Sequence, residues 1–264
     1  MLVVLKRDQE EVGRHAARFV ASAIRTNAAL TLGLATGNTM AGVYRELVRL
    51  HREEKLDFSR VTTFNLDEYF GLSPEHPESF HSVMQQNFFS QVNVNPRNIH
   101  IPDGTIRGDY EQYCAGYEQA IRDAGGIDLQ ILGIGRNGHI GFNEPTSSIG
   151  SRTRLKVLSS QTIEDNRQLF AAGEEIPQCA ITMGIGTILE ARRILLLASG
   201  EAKAAAVAKS IEGPITSAVT ASALQLHPNV TFILDEAAAS ALTQREYYAQ
   251  VLKMTALLTP SRLM

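Results

Sequence analysis

The chain is short of cysteine, of clustered charge and of long apolar runs, and each shortage removes a class of protein. Cysteine occurs twice, at Cys114 and Cys179, far apart and without metal-ligand spacing. That excludes a disulfide scaffold and reads as two buried thiols in a reducing compartment. Lys and Arg total 25 against 28 Asp and Glu, mixed along the chain for a net charge of −3. With no basic run, nucleic acid is not an expected partner. No apolar stretch is long enough to cross a bilayer, and the chain opens on a strand-like segment, Leu2 to Lys6, rather than a signal peptide. No membrane association is expected. Repeats, low-complexity segments and linkers are lacking too. The expectation is one cytoplasmic domain over residues 1–264, able to bury one large core.

Several chemical signatures are also missing. His15, His51, His76, His81, His100 and His227 have no ligand spacing to one another, so no metal is expected. There is no Walker loop and no G-x-S-x-G elbow. Gly133, Gly135 and Gly138 do satisfy G-x-G-x-x-G. Pro145 interrupts the helix that should follow, however, and Lys156 to Ser160 hold no carboxylate. No dinucleotide cofactor is expected.

What the chain does have is alternation. Asp8 and Glu11 resemble a capping box, and Val12, Ala16, Phe19, Val20 and Ile24 form a helical stripe. Strands are predicted at Leu30 to Leu34, Val61 to Leu66, Ile127 to Leu132, Ile194 to Ala198 and Val230 to Leu234. Helices are predicted after the strand at Leu30 to Leu34, striped by Met40, Val43, Tyr44 and Leu47, over 78–91, over 108–123 and near 202–210. Strand–helix alternation of this length implies an α/β fold: an open, mostly parallel, doubly wound sheet with helices on both faces, Rossmann-like.

In such sheets ligands bind outside the carboxyl ends of the strands. Four predicted strands end there in polar residues: Thr36 to Thr39, Asp67-Glu68, the loop 133–145, and Ser199-Gly200 followed by Lys203. Thr36, Gly37, Asn38 and Thr39 read either as an ordinary strand-to-helix turn or as an anion cradle of backbone N–H groups and hydroxyls. Asp67-Glu68 reads either as a cap or as a general base raised by burial. The loop 133–145 holds four glycines, two Asn, His139 and Glu144. His139 reads as a backbone-bonded structural histidine or as an imidazole held in one tautomer by Glu144. Lys203 alone reads as a solvated lysine, and a phosphate nearby would give it a role. Phosphate cradle, carboxylate and His–Glu pair together suggest isomerisation of a phosphorylated sugar.

The chain resembles the glucosamine-6-phosphate deaminase (glucosamine-6-phosphate isomerase) family. The resemblance lies in Leu34 to Thr39, Thr63 to Tyr69, Glu75 to Ser79, Gly135 to Pro145, Ser151 to Arg154 and Thr182 to Thr187. It implies conversion of glucosamine 6-phosphate and water to fructose 6-phosphate and ammonia, without a cofactor. It implies that Asp67 takes the carbon 2 proton and that His139, with Glu144, opens the sugar ring. Lys203 and Thr36 to Thr39 match phosphate ligands. Asn137 stands where many members carry Asp, keeping a hydrogen-bonding role. Gln168 holds the usual phosphate-Arg position, with Arg167 one residue early as the candidate substitute. Ser147, Arg154 and Lys156 match an allosteric site for N-acetylglucosamine 6-phosphate, and the resemblance allows a homo-oligomer, a hexamer in some relatives. The alternatives are a 6-phosphogluconolactonase, from which the chain departs at Phe142-Asn143-Glu144-Pro145, and a non-catalytic sugar-phosphate-sensing protein.

Overall fold

A computed structural model describes residues 1–258. Its first half runs β1 (Leu2–Lys6), α1 (Gln9–Thr26), β2 (Thr31–Leu34), α2 (Asn38–Glu54), β3 (Thr62–Asn65), β4 (Asp67–Tyr69), α3 (Phe80–Asn87), β5 (Ile99–His100), α4 (Tyr110–Asp123) and β6 (Leu129–Leu132). Then follow β7 (Arg154–Val157), α5 (Ser160–Asn166), β8 (Cys179–Thr182), α6 (Ile185–Leu189), β9 (Arg193–Ala198), α7 (Ala204–Ile211), β10 (Val230–Asp235) and α8 (Arg245–Leu258).

Seven strands form one sheet in the order β1-β10-β9-β6-β2-β3-β5, and every pairing in it is parallel. Helices lie around it, so its strands are apolar on both faces; β2, β6 and β10 are buried at every position. From β2 the chain moves outwards through β3 to β5, then returns to β6 and moves the other way through β9 to β10. The direction therefore reverses between β2 and β6, which opens a crevice at their carboxyl ends. This is the Rossmann-like architecture that the alternation predicts.

The predicted helix over 78–91 is shorter and divided. It ends at Asn87, and a 3₁₀ turn, Phe89–Gln91, follows. The capping box at α1 is half formed. Asp8 accepts from the Glu11 N–H at 2.8 Å, whereas the Glu11 carboxylate takes the N–H of Arg7, one residue early.

A second sheet was not predicted. It is antiparallel, of three short strands in the order β4-β8-β7. Asp67 is consequently not the tail of β3. Leu66 turns the chain, and Asp67 opens a strand of its own opposite Thr182. A small apolar cluster sits with this sheet: Tyr69, Phe142, Leu158, Phe170, Ile176 and Ala180. Tyr69 and Phe142 come from the two most distinctive sequence segments, and here they serve packing.

Candidate active site

Strands β9, β6, β2 and β3 are consecutive in the large sheet, so the segments leaving their carboxyl ends are neighbours. On one side of the crevice, α2 begins at Asn38 behind Gly37. No side chain caps it, and its first turn holds no acidic residue. By contrast α1, α3, α4 and α5 are each capped by Asp8, Ser79, Asp109 or Ser159. The first N–H groups of α2 are thus open to an anion.

Next to it lies the glycine-rich loop. His139 Nδ1 faces Glu144 Oε2 at 3.5 Å, just outside hydrogen-bond range. Gly135 makes room for this ring: a methyl group there would stand 2.3 Å from His139 Cε1. Asn137 ties the loop together. Its Nδ2 donates to Glu144 Oε2 at 2.9 Å and its Oδ1 accepts from the His139 N–H at 3.1 Å. An Asp in its place has no such donor, so Asn suits an ionised Glu144. The Ser159 N–H also reaches Glu144 Oε1, at 3.2 Å. Burial alone would raise the Glu144 carboxyl; contacts with His139, Thr162 and Asn137 outweigh it and hold the group at about 2.

Asp67 is treated oppositely. It is 6% exposed, and its carboxylate receives no hydrogen bond among the described residues. Burial first, and the charge of Glu68 second, push it up to about 8. Glu68 takes the capping role: its oxygens accept from the N–H groups of Tyr69, Phe80 and His81 at 2.8–2.9 Å. The two readings of Asp67-Glu68 are therefore divided, with the cap on Glu68 and an uncapped, proton-holding carboxyl on Asp67.

The two regions touch at Gly141, whose φ is +53°. A methyl group built there would lie 3.0 Å from Thr182 Oγ1 and 3.4 Å from Asp67 Oδ2. Asn143 fixes the turn beyond it, donating to the carbonyls of Ile140 at 2.9 Å and Met183 at 2.8 Å.

On the far side of the loop, Lys203 ends a 3₁₀ turn and immediately precedes α7. Burial lowers its ammonium pKa, which Asp165 pulls up and Arg136 pushes down. Sequence reasoning overlooked Arg136, although it adjoins Asn137; nothing in the chain's periodicity could have paired it with Asp165. Arg167 does not join this group. It lies in the 3₁₀ turn after α5, exposed, with its Nε 3.2 Å from Glu164. Among the described residues the Gln168 side chain donates only to the Asp165 carbonyl, at 3.3 Å.

Ser147, Arg154 and Lys156 are not joined by any hydrogen bond among the described residues. Arg154 donates to Asn143 Oδ1 at 2.9 Å and so braces that turn from β7. Ser147 is buried with its hydroxyl unpaired, and Lys156 is half-buried.

The arrangement offers an uncapped helix start and an amine for an anionic group, a carboxyl able to exchange a proton near neutrality, and an imidazole beside a fixed carboxylate. A family model described as glucosamine-6-phosphate isomerases/6-phosphogluconolactonase matches residues 7–232. The glucosamine-6-phosphate deaminase of Thermoanaerobacter pseudethanolicus is 48% identical over 246 residues, covering 93% of this chain and 97% of that one. A solved structure of a monomeric glucosamine-6-phosphate deaminase is similar with a TM-score of 0.89 and 47% identity, over 91% of this chain and 100% of that one. The 6-phosphogluconolactonase of Trypanosoma cruzi is similar with a TM-score of 0.70 at 20% identity, over 92% of this chain and 97% of that one, a likeness of fold alone.

Proposed function

The chain belongs to the family of glucosamine-6-phosphate isomerases and 6-phosphogluconolactonases, and from that premise we propose that it deaminates glucosamine 6-phosphate. Water and substrate give fructose 6-phosphate and ammonia. The observation that carries this reading is a pair of buried carboxyls with opposed surroundings: Asp67 receives no hydrogen bond among the described residues, and burial pushes it up, whereas Glu144 accepts from Asn137 and Ser159 and is held low. Such a pair supplies a proton carrier and a permanent anion within one site.

In this mechanism His139 moves the proton between the ring oxygen and the carbon 1 hydroxyl of the closed sugar. Glu144 orients the imidazole and stabilises its charged form, and Asn137 holds both. Ring opening exposes an aldehyde, which acidifies the proton on carbon 2. Asp67, as carboxylate, takes that proton and returns it to carbon 1, while a proton of the ammonium passes to the carbon 1 oxygen. The oxidation at carbon 2 is balanced by reduction at carbon 1. The carbon 2 imine so formed takes up water and releases ammonia. The substrate ammonium favours ionised Asp67 and lowers its pKa when it binds. Thr36, Gly37, Asn38, Thr39 and Lys203 hold the phosphate.

The test is ammonia release from glucosamine 6-phosphate, set beside hydrolysis of 6-phosphogluconolactone. Release of ammonia with no lactone hydrolysis is the expected result. Lactone hydrolysis alone favours the lactonase reading, and neither activity favours a sensor. Similarity to deaminases at 48% identity, against 20% to a lactonase, supports the first outcome.

We assign the chain to the cytoplasm, where sugar phosphates and free thiols coexist; the described residues contain no helix long and apolar enough to cross a membrane. We assign it the monomeric state, which the similar solved deaminase has. In that state Arg154 braces Asn143 rather than an effector. N-acetylglucosamine 6-phosphate then leaves the rate unchanged; activation, lost in Lys156→Ala, would overturn this and restore a regulatory site at Ser147, Arg154 and Lys156.

A further inference from the structure

Positive charge accumulates on one side of the crevice. The start of α2 is uncapped, and Lys203 places an ammonium at the start of α7. A cation is disfavoured at that end unless an anion accompanies it. Arg136 extends from the loop after β6, the strand between β2 and β9. Asp235 accepts the Gly200 N–H ahead of Lys203, and a different carboxylate answers Arg136. Asp165, on α5, accepts from Arg136 Nη1 at 2.9 Å and from Gln161 Nε2 at 2.9 Å. Arg167 is turned away, exposed beside Glu164.

We propose that Arg136 is the guanidinium that grips the substrate phosphoryl group, and that Asp165 is its resting counter-ion, displaced when the phosphoryl group arrives. The proposal rests on the sugar-phosphate reading of this site. A phosphoryl dianion brings more charge than a carboxylate and three acceptor oxygens, and a guanidinium offers it a two-pronged fork. It also supplies an anion to Lys203 and to the uncapped start of α2. Asp165 alone cannot serve them all.

The exchange reaches the catalytic pair. Asp165 is carried by α5, a helix of seven residues, and its cap Ser159 gives an N–H to Glu144. Phosphate grip and the carboxylate partner of His139 therefore share one short element.

The test is calorimetric titration with inorganic phosphate, alongside KM for glucosamine 6-phosphate, on wild type, Arg136→Gln, Asp165→Asn and Arg167→Ala. Thermal melting of each variant reports folding. Arg136→Gln is expected to weaken phosphate binding at least about tenfold and raise KM similarly. Arg136→Lys recovers only part of that loss, because the fork is gone. Asp165→Asn is expected to tighten phosphate binding severalfold by removing the competing anion. The proposal is overturned if Arg136→Gln binds phosphate within twofold of wild type, or if Asp165→Asn weakens binding. It is also overturned if Arg167→Ala takes the loss instead, or if wild type binds no phosphate. The titration needs no turnover. A wild type that binds phosphate as expected but releases no ammonia defeats the deaminase reading alone, and one that releases ammonia with KM untouched in Arg136→Gln defeats this proposal alone.

Discussion

The small antiparallel sheet and the glycine-rich loop each bring a buried carboxylate to the crevice, yet they treat it in opposite ways. On β4, Asp67 is buried beside the charge of Glu68, and it rises to about 8. On the loop, Glu144 meets the same penalty of burial, but His139, Thr162 and Asn137 overcome it and hold the group at about 2. Burial is common to both, so the supply of donors decides. On β4 the spare N–H groups, that of Tyr69 and those opening α3, go to Glu68 and leave Asp67 without a donor. A turn-rich loop beside a helix start has N–H groups to spare. One region makes a carboxyl that exchanges protons, the other a carboxylate that stays charged.

The largest effect is expected from erasing the difference at Asp67. Asp67→Asn should lower turnover by about 10² or more, the usual reach of a positioned base. Turnover within a few-fold of wild type would move the base to another residue. The same substitution should stabilise the fold, with a definite pH dependence. The folded-state pKa of Asp67 is raised, so its contribution to stability is full below about pH 4 and is lost as pH rises through about 8. The Asn variant should therefore melt like wild type at pH 4 and above it at pH 9. At 1.36 kcal/mol per pKa unit the gain is at most roughly 6 kcal/mol. In the wild type, kcat/KM should rise with pH towards about 8, as Asp67 ionises in the free protein.

A second, smaller effect comes from the loop. Glu144→Gln removes the anion beside His139 and sets an amide against Asn137. Turnover of the cyclic substrate should fall by about tenfold or more. His139→Gln should share this selectivity, impairing the cyclic substrate far more than an open-chain analogue. Equal losses on both substrates would make the pair a binding or folding element. Here the stability sign reverses. The folded-state pKa of Glu144 is lowered, so its contribution is present above about pH 4.5 and is lost as pH falls towards 2. Wild type should exceed Glu144→Gln in melting temperature at pH 7, and the gap should close below about pH 3.

Six of the seven strands of the large sheet were legible because each is an apolar run long enough to be noticed, and the helices between them carry apolar stripes; the seventh, β5, is two residues long and was missed. The rim positions followed from that. The small sheet was hidden for a physical reason. Its strands, Asp67–Tyr69, Cys179–Thr182 and Arg154–Val157, are three or four residues long and half polar. Their stability comes from partners far along the chain, such as Asp67 opposite Thr182, and no local pattern records such a pairing. Hence Asp67 could be placed at the rim, but its burial could not be foreseen. In the same way Asn137 could be singled out by type, while its bond to Glu144 is a property of the folded turn. Arg136 and Asp165 show the limit most plainly, since two ordinary surface residues gain meaning only from the strand order that brings their elements together.

The smallest effect should arise at Gly141, where the two regions meet. Its φ of +53° lies in the left-handed region, and a methyl group there would approach both Thr182 Oγ1 and Asp67 Oδ2. Gly141→Ala therefore carries two costs. The backbone cost is about 1 kcal/mol, a fall of roughly 2–4 °C in melting temperature. The contact cost is the removal of space beside Asp67, which excludes water from an already buried carboxyl and moves its pKa further up. Gly173 separates the two, for its φ is +87° and a methyl group there would meet nothing within 4 Å. Gly173→Ala should lose stability by the backbone cost alone and leave the pH profile of kcat/KM in place. Gly141→Ala should lose somewhat more stability, lose a few-fold in kcat/KM at pH 7, and shift the acid limb of the profile upwards. If both variants shift stability equally and neither moves the limb, the loop does not press on Asp67. The environment that raises Asp67 would then be the work of the small sheet alone.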